Sequence, residues 1–226
     1  MSSTARTRVI VVRHGQTEWN DGSRFQGHLD SALTRAGMIQ AESIGLRIAR
    51  ESVAAIYSSD LGRAKHTADL IARSLKLPVQ IDVRLRERAL GIFQGLNRDE
   101  VAQRFPAEFR AYFSRDPHYV VPGGESAMGR FEIGFACFNE IAQRHPGQTV
   151  VAVTHGGLVQ ALFRHVTGVP FDAPRRFALW NAAYNVFVRN SDDGWSLETW
   201  GDVSHYPPEI RPRGTFPVEQ HTPEVQ

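Results

Sequence analysis

The chain has 226 residues, 42% hydrophobic and 22% charged, with 26 Lys+Arg against 24 Asp+Glu for a net charge of +2. This size and balance suit one large globular domain with a buried core and exclude disordered, collagen-like and disulfide-stapled chains. The longest apolar runs, such as Val9 to Val12, fall far short of the roughly 20 residues a membrane span requires.

In chain order, Arg8–Arg13 reads as a buried strand. Thr34 is a plausible N-cap for a helix with Met38, Ala41, Gly45 and Ile48 on one face. Val53–Tyr57 is a second strand, Arg63–Leu75 a helix stopped before Pro78, and Val79–Val83 a third strand. Asn97–Ser114 is helical with a break near Pro106, and Phe131, Phe135, Phe138 and Ala142 line a helix from about Glu125 to Arg144. Thr149–Thr154 is the clearest buried strand, with a helix from Leu158 to about Val166 behind it. Phe177–Leu179, Tyr184–Val188 and Trp195–Thr199 close the series as further strands. Alternating strands and helices predict an α/β three-layer sandwich with a mostly parallel central sheet. Residues 1–200 are expected to form a single domain. Residues 201–226 hold Pro207, Pro208, Pro212, Pro217 and Pro223 without periodicity and read as a Pro-rich tail.

The N-terminus, Met1 to Arg6, is polar and has no secretory apolar region. Cys137 is the single cysteine, so no internal disulfide forms, and a reducing, cytoplasmic setting is expected. Its apolar helical neighbours make it a core residue rather than a nucleophile. Basic residues form no block of nucleic-acid type, and no membrane partner is expected. Lysine occurs only at Lys65 and Lys76, so the positive charge is nearly all arginine. A genomic bias explains that most simply, though it also suits phosphate recognition.

In open α/β sheets ligands gather beyond the carboxyl ends of the strands. Two of the clearest strands run straight into histidine, as Arg13-His14-Gly15 and Thr154-His155-Gly156-Gly157. Glycine after each histidine permits a sharp turn, and a helix N-terminus after Gly156 suits an anion. Taken singly, either pair reads as an ordinary strand-end histidine. A metal site is disfavoured, because no acidic residue stands at ligand spacing beside either histidine and Arg13 is a cation. Gly-x-Ser-x-Gly and Gly-x-x-x-x-Gly-Lys are both missing, which disfavours serine-hydrolase and P-loop chemistry.

Read together, the segments resemble an ordered set. Arg13-His14-Gly-x-Thr-x-x-Asn20, the Gln26-Gly27 pair, Asp30-Ser31-x-Leu33-Thr34-x-x-Gly37, Tyr57 to Ala64, Leu85 to Gly91 and Thr154 to Gly157 resemble the histidine phosphatase (phosphoglycerate mutase-like) superfamily over about residues 8 to 190. The resemblance implies that His14 is the nucleophile and forms a phosphohistidine. It implies that Arg13, Arg63 and His155 stabilise the transferring phosphoryl group and that Glu87 serves as general acid, then base. Asn20, Gln26, Gly27, Gly156 and Arg98 are the expected substrate-binding set. No metal or other cofactor is implied. The expected partner is a small phosphorylated metabolite, and a homodimer is the commonest default assembly. Bland roles exist beside these: Glu87 lies between Arg86 and Arg88 as in a surface ion-pair cluster, and Asn20 and Gln26 are common turn formers.

Phosphatase and mutase share this core. Mutases of the fold carry a longer insertion between the acid and the second histidine, whereas only 68 positions separate Glu87 from His155. Pro122-Gly123-Gly124-Glu125-Ser126 resembles the phosphatase branch, which is the preferred reading. A 2,3-bisphosphoglycerate-dependent phosphoglycerate mutase is the alternative, since Gly95-Leu96-Asn97-Arg98 resembles a mutase segment. Arg98 and Arg115 would suit a second acidic group on the substrate. A non-catalytic phosphate-binding module is a further alternative, but it would have no need of Glu87. Phe25, Leu29, Trp19, Tyr119 and Phe93 are candidate pocket walls, and His28, His66, His118, His145, His165, His205 and His221 are read as structural or solvated.

Overall fold

The structure, a computed structural model, describes residues 6–190 and 194–212. Six strands form one sheet in the order β3-β2-β4-β1-β5-β6: β1 (Thr7–Arg13), β2 (Val53–Ser58), β3 (Val79–Ile81), β4 (Thr149–Thr154), β5 (Tyr184–Arg189) and β6 (Trp195–Asp202). β1 to β4 are parallel, and β5 and β6 add antiparallel at one edge. β1 and β4 read as continuous apolar runs because both faces of the sheet are covered. On one face Val9, Val11, Val150 and Ala152 pack with Phe138 and Ile141 of α6 (Ala127–Arg144) and Leu158 and Leu162 of α7 (Gly156–Thr167). On the other, Ile10, Val12, Val151 and Val153 pack with Ile44 and Ile48 of α2 (Arg35–Ile48) and Ala64, Ala68 and Ile71 of α3 (Gly62–Leu75).

The site follows from this topology. β1 and β4 are neighbours, with Arg13 opposite Thr154. The chain leaves β1 through α2 on one face and leaves β4 through α7 on the other. Their departures diverge, and a crevice opens between them at the carboxyl ends. Beyond that edge a smaller cluster of Leu90, Phe93, Val101 and Val121 gathers around α4 (Arg98–Arg104) and α5 (Pro106–Phe113). One further short helix, α1 (Glu18–Asp21), follows β1.

The mostly parallel α/β sandwich expected from sequence is present. Pro106 does divide the Asn97–Ser114 stretch into α4 and α5. Three readings need correction. Phe177–Leu179 is loop, not strand: Phe177 packs on Phe163 and Trp200, and the Leu179 carbonyl holds Arg13. Side-chain apolarity there reflects packing on α7, not a place in the sheet. The third strand ends at Ile81, because Asp82 caps a 3-10 turn at Val83–Leu85. Gly201 and Asp202, placed in the tail, belong to β6. Past β6, Tyr206 is buried and its hydroxyl donates to the Asn181 carbonyl. Of the prolines that marked the tail, Pro217 and Pro223 lie outside the described residues, as does His221. Among the described residues no helix is long and apolar enough to cross a membrane.

Candidate active site

His14 follows β1 directly and is buried. Its Nδ1 lies 2.8 Å from the Gly15 carbonyl oxygen. A carbonyl can only accept, so Nδ1 carries the proton and Nε2 of the neutral ring presents its lone pair. Burial, reinforced by the charges of Arg63 and then Arg13, holds His14 well below 6.5, so the ring is neutral at physiological pH. The turn after it is tight. A Cβ on Gly15 would stand 2.4 Å from the Gly37 carbonyl oxygen, and one on Gly37 would stand 2.0 Å from the Gln16 oxygen. The start of α2 therefore presses backbone to backbone on the loop after His14.

His155 caps the N-terminus of α7 at the end of β4 and is fully buried. Its ring centroid is 5.3 Å from that of His14. Nε2 lies 2.9 Å from Ser59 Oγ, and Nδ1 is buried without a partner. When the Ser59 hydroxyl donates to Nε2, Nδ1 is a free donor. Burial, then Arg63, His14 and Arg13, lower this histidine too.

The two arginines share a pattern. Arg13 Nη1 donates to the Leu179 carbonyl at 2.6 Å, and its buried Nε has no partner. Burial of the guanidinium pushes its pKa down to about 10, partly offset by Glu87. Arg63 Nη1 donates to Leu29 O and Asp30 Oδ1, both at 2.9 Å, and Nη2 to Gly27 O at 2.8 Å; its buried Nε is again unmet. Asp30 also accepts from the Arg63 main-chain N–H at 3.3 Å. A carboxylate at this N-terminus offsets the cost of a cation in the first turn of α3. Arg13 Nε, Arg63 Nε and His155 Nδ1 are thus buried donors without acceptors around a neutral imidazole. Unmet donors of this kind suit an anion with several oxygens.

Glu87 stands at the start of α7. Its Oε2 accepts from Gly157 N and its Oε1 from Arg88 N, both at 2.9 Å. A Cβ on Gly157 would lie 2.2 Å from Oε1, so this approach requires glycine. A cavity of about 500 Å³ is lined by Glu87 together with Arg13 and Gly156. Arg98 lies in its wall, exposed, with the guanidinium 4.5 Å from the Phe113 ring centroid.

The rest of the expected binding set is less direct. Asn20 completes the cap of α1, and its Oδ1 also lies 3.3 Å from Asn181 Nδ2. Gln26 is buried and accepts from Ser31 Oγ at 3.4 Å. Gly27, at φ +56°, supplies its carbonyl to Arg63. Phe25 lines the cavity, whereas Phe93 is fully buried in the smaller cluster and Leu29 is 46% exposed. Three residues at the site, Ser59, Asn181 and Gln94, carried no assigned role in the sequence, and His28 was read as structural or solvated. Ser59 positions His155 from within a segment that was noticed. Asn181 Nδ2 donates to the His14 carbonyl at 2.9 Å from a loop with no pattern of its own. His28 Nε2 lies 2.8 Å from the Glu87 carbonyl, so this ring supports the Glu87 main chain. Gln94 Oε1 accepts from His28 N at 2.8 Å. Among the described residues no group of three or more His, Cys, Asp or Glu is arranged to hold a metal ion.

The fold and the paired histidines define a phosphoryl-transfer class. Residues 9–203 match the histidine phosphatase superfamily, branch 1, and the chain belongs to that superfamily. A metal-independent phosphoserine phosphatase of Arabidopsis thaliana is 38% identical over 202 residues, covering 88% of this chain and 83% of that protein. Phosphoglycerate mutase-like protein 4 of the same plant is 37% identical over 200 residues, covering 87% and 86%. The structure of a mycobacterial glucosyl-3-phosphoglycerate phosphatase in complex with VO3 superposes with a TM-score of 0.75 at 30% identity, covering 87% of this chain and 99% of that one. The protein is a histidine phosphatase-type enzyme.

Proposed function

We propose that the protein is a metal-independent phosphatase that hydrolyses phosphomonoesters of small metabolites through a phosphohistidine on His14. The observation that carries this is the His14 tautomer, with Nε2 unprotonated beside three unmet buried donors. Nε2 attacks phosphorus, and the bond to the ester oxygen breaks. Glu87 acts as general acid and gives that oxygen a proton. The ionised Glu87 then takes a proton from water, whose oxygen attacks phosphorus. The P–N bond breaks, inorganic phosphate leaves and His14 is regenerated. Arg13, Arg63 and His155 hold the phosphoryl oxygens throughout, which is most of what this chemistry demands. The resemblance to a metal-independent plant phosphatase supports a mechanism without metal, and Asn20, Gln26, Gly27, Gly156 and Arg98 complete the proposed binding set.

A mutase reading is kept because several relatives are named phosphoglycerate mutase-like or probable phosphoglycerate mutase. Product analysis on 3-phosphoglycerate and phosphoserine separates the two, run with and without 2,3-bisphosphoglycerate and with His14→Ala as control. Free phosphate without isomer supports the phosphatase. Isomer formed faster than phosphate supports the mutase. Either signal surviving in His14→Ala overturns both.

A further inference from the structure

The cavity lined by Arg13 and Glu87 is larger than a phosphate requires. At about 500 Å³ it falls in the size range of sites for whole organic ligands. Glu87 lines it, and Glu87 is the group that would protonate the leaving oxygen. The cavity therefore receives the part of the substrate that departs.

Its wall also holds Arg88, Arg98, Arg115 and Arg130. Elsewhere arginines meet carboxylates: Arg8 pairs with Glu51 and Glu198, Arg24 with Glu100, Arg47 with Asp202 and Arg86 with Asp60. Arg88 and Arg98 instead lie over the rings of Tyr112 and Phe113. Arg130 is the most constrained of the four. It sits in the first turn of α6, where the helix dipole disfavours a cation, and is only 7% exposed. Among the described residues its one side-chain hydrogen bond runs from Nη2 to the Arg84 carbonyl, and its buried Nε has no partner. Glu125 Oε1 stands 4.0 Å from Nη1, beyond hydrogen-bond distance, while Glu125 Oε2 serves Ala89 N at 2.8 Å. A guanidinium presents five N–H donors, and the Nε donor of this one is buried and unmet. Such a buried cation is costly unless something in the cavity answers it.

We propose that Arg130 is a specificity-determining residue that binds a second anionic group, carboxylate or phosphate, on the leaving part of the substrate. This deepens the phosphatase reading and rests on it. A rigid pair of probes tests it: 4-carboxyphenyl phosphate and its neutral isostere 4-carbamoylphenyl phosphate, with 4-phosphonophenyl phosphate to tell carboxylate from phosphate preference. The wild-type enzyme is expected to favour one or both anionic probes by about tenfold or more in kcat/KM. Arg130→Met brings that ratio close to one, and Arg130→Lys keeps part of it. Absence of a preference in the wild type overturns the proposal. So does a ratio that survives Arg130→Met while all rates fall together, which would make Arg130 a positioning residue for Glu87. If Arg130→Met does not fold, the wild-type ratio and Arg130→Lys still decide. Calorimetric binding of the same probes to His14→Ala protein reads the preference without turnover. Retained binding preference with no turnover in the wild type breaks the phosphatase reading alone; turnover without preference breaks this proposal alone.

Discussion

Strand β1 carries an arginine near each end, and the two are treated in opposite ways. Arg8 donates to Glu198 at 2.7 Å, to Glu51 at 2.6 Å, to Thr149 at 3.3 Å and to Tyr184 at 3.3 Å. These partners, Glu198 foremost, raise its pKa, with burial opposing. Arg13 is half-buried, reaches one carbonyl and keeps a buried, unmet Nε, and desolvation lowers its pKa. The amino end of the sheet closes its charges on itself, as a structural edge does. The carboxyl end holds charge and donors open, at a cost in stability, for a ligand that supplies the acceptors.

Substitutions along that contrast should separate activity from stability. The largest effect is expected for His14→Ala, which removes the proposed nucleophile: kcat with an aryl phosphate should fall by about 10⁴ or more. Arg13→Met comes next. It should lower kcat/KM by about 10²–10³ while the unfolding midpoint in urea stays level or rises, because a half-buried, poorly paired cation is removed. Arg8→Met should do the reverse, leaving kcat/KM near wild type and costing about 1 kcal/mol, since the pairs are part-exposed and solvent-screened. A large activity loss in Arg8→Met would erase the distinction between the two ends.

Glu87→Gln should depend on the ester. With alkyl phosphates, whose leaving oxygen needs a proton, the loss in kcat/KM should be about 10²–10³; with 4-nitrophenyl phosphate it should be markedly smaller. Equal losses on both would show that Glu87 only orders the start of α7.

The smallest effect is on pH. His14 and His155 both have folded-state values well below 6.5. Below 6.5 the unfolded chain binds protons that the folded site refuses, so stability is fully present above about pH 7 and is lost as pH falls. Thermal midpoints between pH 7.5 and 5 should decline, and His155→Asn should flatten part of that slope. A midpoint that rises on acidification would mean that the two rings are charged in the folded protein.

Much of the site was legible because its signals are local. A hydrophobic strand that ends in His-Gly announces both a direction and an end, and this happens twice. Asp30 beside Arg63, Gly37 against Gln16 and Gly157 against Glu87 each joined segments already noticed for their residues. The misreading of Phe177–Leu179 has the same source. A short apolar run bears no mark that tells a strand from a loop packed on a helix.

The sequence by itself determined the class of the fold, the strand ends that bear His14 and His155, and the set of charged residues available to them. Burial of alternating apolar strands and the need for glycine at sharp turns are written in neighbouring residues. Only the tertiary structure decided which donors lack acceptors. That depends on partners far away in the chain: Leu179 for Arg13, Gly27 for Arg63, Asn181 for the His14 main chain, and Arg84 for Arg130. A hydrogen bond left unmade is a property of three-dimensional surroundings, and no pattern of residues along the chain encodes it.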